Sequence, residues 1–125
     1  MNDRLLLLRK ADPDLLISIH CNAGGSPFTG KGTSTYYRHI GFRPLSTAIL
    51  SRVLTLGVNN FGNIGSFNFA LSSPTEYPNV LVETLFMSSP EDEARLMDPE
   101  FRTDLVKQIV KGLEDFLRET KKNSK

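Results

Sequence analysis

The side chains in this 125-residue chain whose settings invite chemistry are its two histidines, His20 and His39, and the carboxylate of Glu83. His20 ends the apolar run Asp14-Leu-Leu-Ile-Ser-Ile-His20 and is followed by a glycine-rich stretch. A strand that holds an imidazole still, beside a loop that leaves room for substrate, is able to present it to a metal ion. The plainer alternative is a satisfied polar residue closing a strand. Glu83 follows Val80-Leu81-Val82, so its carboxylate falls where the pattern predicts partial burial. There it needs a cation, a hydrogen-bond donor or a raised pKa, which makes it a candidate general base. A rim carboxylate that caps a helix or pairs with an arginine is the competing reading. His39, in Tyr36-Tyr37-Arg38-His39, sits among aromatic and basic groups that could line a groove for sugar or peptide, or is a surface histidine. Cys21 adjoins His20, but neighbouring strand residues point to opposite faces, so a Cys and His nucleophilic pair is not expected.

The elements that must position these groups follow from punctuation and periodicity. Residues Asn2 to Lys10 read as the end of a helix, stopped by Asp12 and Pro13. The run ending at His20 is a near-continuous apolar strand of the kind that a sheet covered on both faces produces. Four glycines and a proline make Cys21 to Gly32 a loop, and Thr33 to Arg38 reads as a second strand. Pro44 suits a first helical turn and Gly57 a helix end, with Leu45, Ala48, Ile49, Val53 and Leu56 on one face. A short strand is expected near Phe67 to Leu71, then a turn around Pro74 to Pro78, then a strand that closes at Glu83. Ser89-Pro90 with Asp92, and Asp98-Pro99, are helix starts; Phe101, Leu105, Ile109, Leu113 and Phe116 continue a helical stripe. Strands separated by helices imply an α/β fold, a largely parallel sheet flanked by helices. Sites in such folds lie just beyond the carboxyl ends of the strands, where His20 and Glu83 are expected.

Bulk properties exclude more than they select. With 39% hydrophobic and 23% charged residues the chain is globular, and 15 basic against 14 acidic residues argue for neither nucleic acid nor an anionic membrane as partner. One cysteine makes no internal disulfide. Leu5 to Leu8 is shorter than the roughly 7 to 15 apolar residues of a signal-peptide core, no signal peptide is visible, and no stretch is long enough to span a bilayer. The polar end, 121–125, is expected to be a frayed, disordered tail.

Several segments together resemble the zinc-dependent N-acetylmuramoyl-L-alanine amidases, bacterial cell-wall hydrolases. Ser18-Ile19-His20-Cys21-Asn22-Ala23 is similar to that family's Ser-Ile-His-x-Asn-Ala motif, and Gly32-Thr33-Ser34-Thr35-Tyr36-Tyr37 to the strand after it. Pro78-Asn79-Val80-Leu81-Val82-Glu83 with Phe86 resembles the family's Pro-x-x-Leu-Val-Glu segment, and Ser89-Pro90-Glu91-Asp92-Glu93 with the terminal helix its closing elements. The resemblance implies that residues 1–120 are the carboxy-terminal part of an amidase catalytic domain, truncated on its amino-terminal side. It implies His20 as the last of three zinc ligands and Glu83 as the base that takes a proton from zinc-bound water. Asn22, Tyr36 and His39 are the expected substrate contacts. The family's other two ligands would precede Met1, so the chain is expected to bind Zn2+ weakly or not at all and to show impaired hydrolysis. Its missing strands would leave a sheet edge open to non-native association. The implied substrate is peptidoglycan or a muropeptide, which places the action in the periplasm or outside the cell. A non-catalytic muropeptide-binding module derived from the same fold is the alternative.

Overall fold

Two apolar runs, one before His20 and one around Glu83, pair with each other and form half of a four-stranded sheet. In the computed structural model, which describes residues 3–24 and 30–123, the strands are β1 (Leu16–Asn22), β2 (Thr33–Tyr36), β3 (Asn60–Ile64) and β4 (Asn79–Phe86). The helices are α1 (Asp3–Ala11), α2 (Arg43–Val53), α3 (Pro90–Met97) and α4 (Pro99–Asn123). The sheet order is β1-β4-β2-β3. β1 runs parallel to β4 and β2 parallel to β3, while β2 and β4 meet antiparallel. The sheet is therefore mixed, parallel in two of its three pairings.

The core lies on one face of this sheet. Val80 and Val82 of β4 pack with Leu45, Ile49 and Val53 of α2 and with Leu105 and Ile109 of α4, all nearly solvent-free. Their spacing along α2 and α4 is the helical stripe read from the sequence. α4 reaches α2 closely because Gly112 carries no side chain there: a Cβ would lie 2.5 Å from the Ile49 Cα. Arg52 and Asp115 clamp the same pair of helices by a two-pronged bond, Nε to Oδ2 at 2.6 Å and a terminal nitrogen to Oδ1 at 3.0 Å. Asp92, buried at the start of α3, accepts from the backbone N–H of Gly32 at 2.7 Å and of Phe86 at 3.1 Å. It thereby ties α3 to the beginning of β2 and the end of β4. Ser89 caps that helix, as its type and the following proline foretold.

Four expectations are corrected. Glu83 does not end a strand: β4 continues to Phe86, and β1 likewise runs past His20 to Asn22. The third strand is Asn60–Ile64; the segment expected as a strand, 67–71, is a loop entering a single helical turn at Ala70–Ser72. β1 is not covered on both faces, for none of its residues is fully buried and Ile19 is 56% exposed. The physical reason is its position: among the described residues β1 pairs only with β4, so it is an edge strand. α4 continues as helix to Asn123, so the expected tail overlaps its last turn, and residues 124–125 lie outside the described ones. The middle of the glycine-rich loop, 25–29, is outside them too.

Candidate active site

His20 and Glu83 are direct partners in the β1 and β4 register. Registered residues on adjacent strands share a face and stand about 4.8 Å apart at the backbone, so imidazole and carboxylate emerge side by side. The row continues across the sheet, with Ser34 opposite Glu83. A second row, Ser18, Leu81 and Tyr36, lies beneath the first on the same face. This face is the one opposite Val80 and Val82, because strand residues alternate. The core helices hold one side of the sheet and leave the other for the polar row.

Local contacts fix the imidazole on several sides. Ser18 Oγ lies 3.0 Å from His20 Nε2. Phe69 meets the ring edge-on, with centroids 5.8 Å apart and planes at 87°. The Thr84 hydroxyl donates to the His20 carbonyl at 2.9 Å, which pins the backbone of β1 at that residue. Phe69 is carried by the segment misread as a strand; its neighbour Phe67 packs on Tyr36 at 4.6 Å between centroids, and Arg4 of α1 stands 5.7 Å over the Phe69 ring.

Glu83 is partly buried, and its Oε2 is enclosed with no hydrogen-bond partner among the described residues. Burial pushes its carboxyl pKa upward, while the neighbouring His20 acts in the opposite direction. A carboxylate held this way is short of a positive partner and is correspondingly more basic. The face is partly covered: Ser34, Tyr36 and Leu81 are buried, and Phe67 and Phe69 pack on Tyr36 and His20. A cavity of about 370 Å³ between α1 and the 73–77 loop is lined by Leu5, Leu8, Arg9 and Tyr77 among others, and neither His20 nor Glu83 lines it.

The remaining candidates are dispersed. Tyr36 is buried and its Oη accepts from Ser34 Oγ at 3.2 Å, so it builds the floor beneath the polar row. Asn22 closes β1, and its Oδ1 accepts from the Ala23 N–H at 2.9 Å. His39 lies beyond β2, with Nε2 3.1 Å from the Ser73 carbonyl and its ring edge-on to Phe42. Two participants, Ser18 and Phe69, were missed at the level of sequence. Ser18 was within reach, because residues two apart on a strand share a face; Phe69 had no local signal.

The residues present do not by themselves fit a catalytic zinc. Such a site takes three protein ligands with an open fourth position. Among the described residues no three of His, Cys, Asp and Glu gather in one place. What the chain brings together is one imidazole and one carboxylate with an unpartnered oxygen.

A polar row on the sheet face opposite the helical core, with a carboxylate of raised pKa beside an imidazole, is the site that the described residues assemble on this α/β fold. The chain belongs to the N-acetylmuramoyl-L-alanine amidase family, whose sequence profile matches residues 1–115. It is 28% identical to a crystallised N-acetylmuramoyl-L-alanine amidase from Clostridium difficile 630, with a TM-score of 0.84 over 93% of this chain and 64% of that one. It is also 29% identical over 75 residues to the amidase AmiC of Neisseria meningitidis, covering 60% of this chain and 18% of that protein. With the endolysin of Bacillus phage SPP1 it shares 28% identity over 97% of this chain and 46% of the endolysin. The chain thus spans less than half of these curated relatives and about two thirds of the solved structure. Among the described residues no helix is long and apolar enough to cross a membrane.

Proposed function

We propose that this chain supplies the carboxy-terminal share of a hydrolytic centre that cleaves the amide between N-acetylmuramic acid and L-alanine of peptidoglycan. The reading rests on the register that sets His20 beside Glu83 with an enclosed, unpartnered carboxylate oxygen. Glu83 takes the proton of the attacking water and passes it to the leaving amine, a role that its burial-raised basicity favours. His20 is the zinc ligand that the described residues contribute; Asn22, at the end of β1, and His39, beyond β2, touch substrate away from the row. Tyr36 supports that surface from below. Because peptidoglycan lies outside the cytoplasmic membrane, the reaction belongs in the periplasm or beyond the cell.

With one imidazole in place, residues 1–125 alone bind Zn2+ weakly and release little stem peptide. Calorimetric titration with Zn2+ and mass spectrometry of muropeptide digests measure both; tight one-to-one binding would overturn the expectation. A chimera in which the preceding segment of a related amidase restores two ligands is expected to release free stem peptide. Glu83→Gln in that chimera should lower the rate by about 10²- to 10⁴-fold. If the chimera holds zinc and binds muropeptide yet cuts none, the chain is a binding module and the hydrolytic reading fails.

A further inference from the structure

We propose that the outer face of α4 pairs antiparallel with the same face of a second copy of this chain. α4 leaves three large apolar side chains in solvent: Val106 at 54%, Val110 at 46% and Leu117 at 52% exposure. With the half-buried Leu113 and the exposed Thr103 and Thr120 they fall at alternating steps of three and four, the spacing of a coiled-coil seam. The seam borders the core stripe on the side away from α2. Leu105 and Ile109 enter the core, Gly112 meets Ile49, and Asp115 reaches Arg52, so α2 covers the other flank of the helix. At the start of the seam an open hollow of about 450 Å³ is lined by Pro99, Arg102, Thr103, Val106 and Lys107.

Charges beside the seam identify the occupant and its direction. One flank carries Glu100, Lys107, Glu114 and Lys121, seven residues apart and alternating in sign. Lys107 has no ion-pair partner among the described residues, and Glu114 meets only the more distant field of Arg52, which is already clamped to Asp115. Laid antiparallel, two copies set Val106 against Leu117 and Val110 against Leu113, with Leu117 of the second copy seated over the hollow. The flank then matches itself across the two-fold axis, Glu100 to Lys121 and Lys107 to Glu114, each pair formed twice. A parallel pair would set this flank against Arg102, Ile109 and Phe116 and lose the match. The interface involves neither His20 nor Glu83, so it exists whether or not the chain cuts anything.

Charge exchange tests both the face and the direction. In an Ile19→Lys background, which keeps the β1 edge out of the measurement, sedimentation velocity is expected to show dimers. Lys107→Glu alone and Glu114→Lys alone each turn two attractive pairs into two repulsive ones and should weaken dimerisation by about tenfold. Mixing the two variants in equal amounts makes every pair attractive again and should restore dimers, as should the double exchange in one chain. Carbodiimide, which joins only an amine and a carboxylate in contact, should link Lys107 to Glu114 between copies; mixed isotope labelling shows that the link crosses chains. A chain that is monomeric at every concentration leaves the seam to a different occupant, such as a segment of a longer chain, and overturns the proposal. Dimers indifferent to both exchanges overturn it too, since they form through another face.

Discussion

An ionised Glu83 is costly to fold around, because its Oε2 is enclosed with no donor among the described residues and burial raises its pKa. The sign follows from the direction of that shift. A carboxyl whose folded pKa lies above its unfolded value stabilises the fold, relative to higher pH, below the unfolded pKa, and that contribution is lost as pH rises through the folded value. At pH 7 the native protein therefore carries the cost, and the isosteric Glu83→Gln protein does not. Glu83→Gln is expected to melt at or a few degrees above the native chain at pH 7, with the difference closing as pH approaches about 4. Calorimetric melts across that range check it; a variant clearly less stable at pH 7 would mean that the charge has a cation partner. Stability gained where chemistry is lost marks a residue kept for its reactivity. The identity of this residue was legible in the sequence, since a carboxylate closing an apolar run stands out. Its convergence with His20 on one site was expected too, from the two strand ends and the resemblance; that the two are direct partners in register was not, because register depends on which strands become neighbours, and no local pattern encodes that.

The helices show a similar division between what local pattern reveals and what packing decides. The stripe of Leu45, Ile49 and Val53 announced α2, and the Ser89-Pro90 start announced α3. β3 escaped notice because Asn60-Phe-Gly-Asn-Ile64 has two asparagines and a glycine in place of alternating apolar residues, and it holds its place by pairing with β2. The apolar 67–71 segment drew the strand assignment instead, yet its phenylalanines are spent on Tyr36 and His20. Gly112 looks like a weak point in a long helix, but it is the contact that lets α4 lie on α2. Gly112→Ala would gain helix propensity and lose far more to the clash with the Ile49 backbone, with a net cost of about 1 to 3 kcal/mol in denaturant melts. The ion pair across the same helices adds a pH signature. Asp115 is held at a pKa of about 2, first by its hydrogen bond from Arg52. A depressed carboxylate pKa contributes stability above the unfolded value, lost as pH falls through the folded one. Asp115→Asn should accordingly be less stable than the native chain at pH 7, and the gap should close between about pH 4 and pH 2. A deficit independent of pH would show that the pair is held by shape and not by charge.

For the molecule as a whole, the consequential feature is the side of β1 that no strand among the described residues covers. An edge strand offers unpaired N–H and C=O groups to any extended chain, and proteins usually blunt such edges with lysine, proline or a covering loop. Leu16–Asn22 contains no lysine, no proline and no acidic residue, and Ile19 presents a large apolar side chain that is 56% exposed. The nearest available strand with the same length and the same lack of charge is β1 of a second copy. Two such edges, brought antiparallel, would extend the sheet across both molecules and cover Ile19 on each. We therefore expect residues 1–125 to self-associate with rising concentration, and Ile19→Lys, which places a charge where the second copy must lie, to shift the protein toward monomer. Sedimentation velocity over a hundredfold concentration range measures both. The argument carries through to the site, because His20 projects from this same strand: association should also slow hydrogen exchange of the β1 amides that face outward, and the lysine variant should restore their rates. A native chain that stays monomeric throughout, with fast-exchanging β1 amides, would show that the edge is already covered within one molecule.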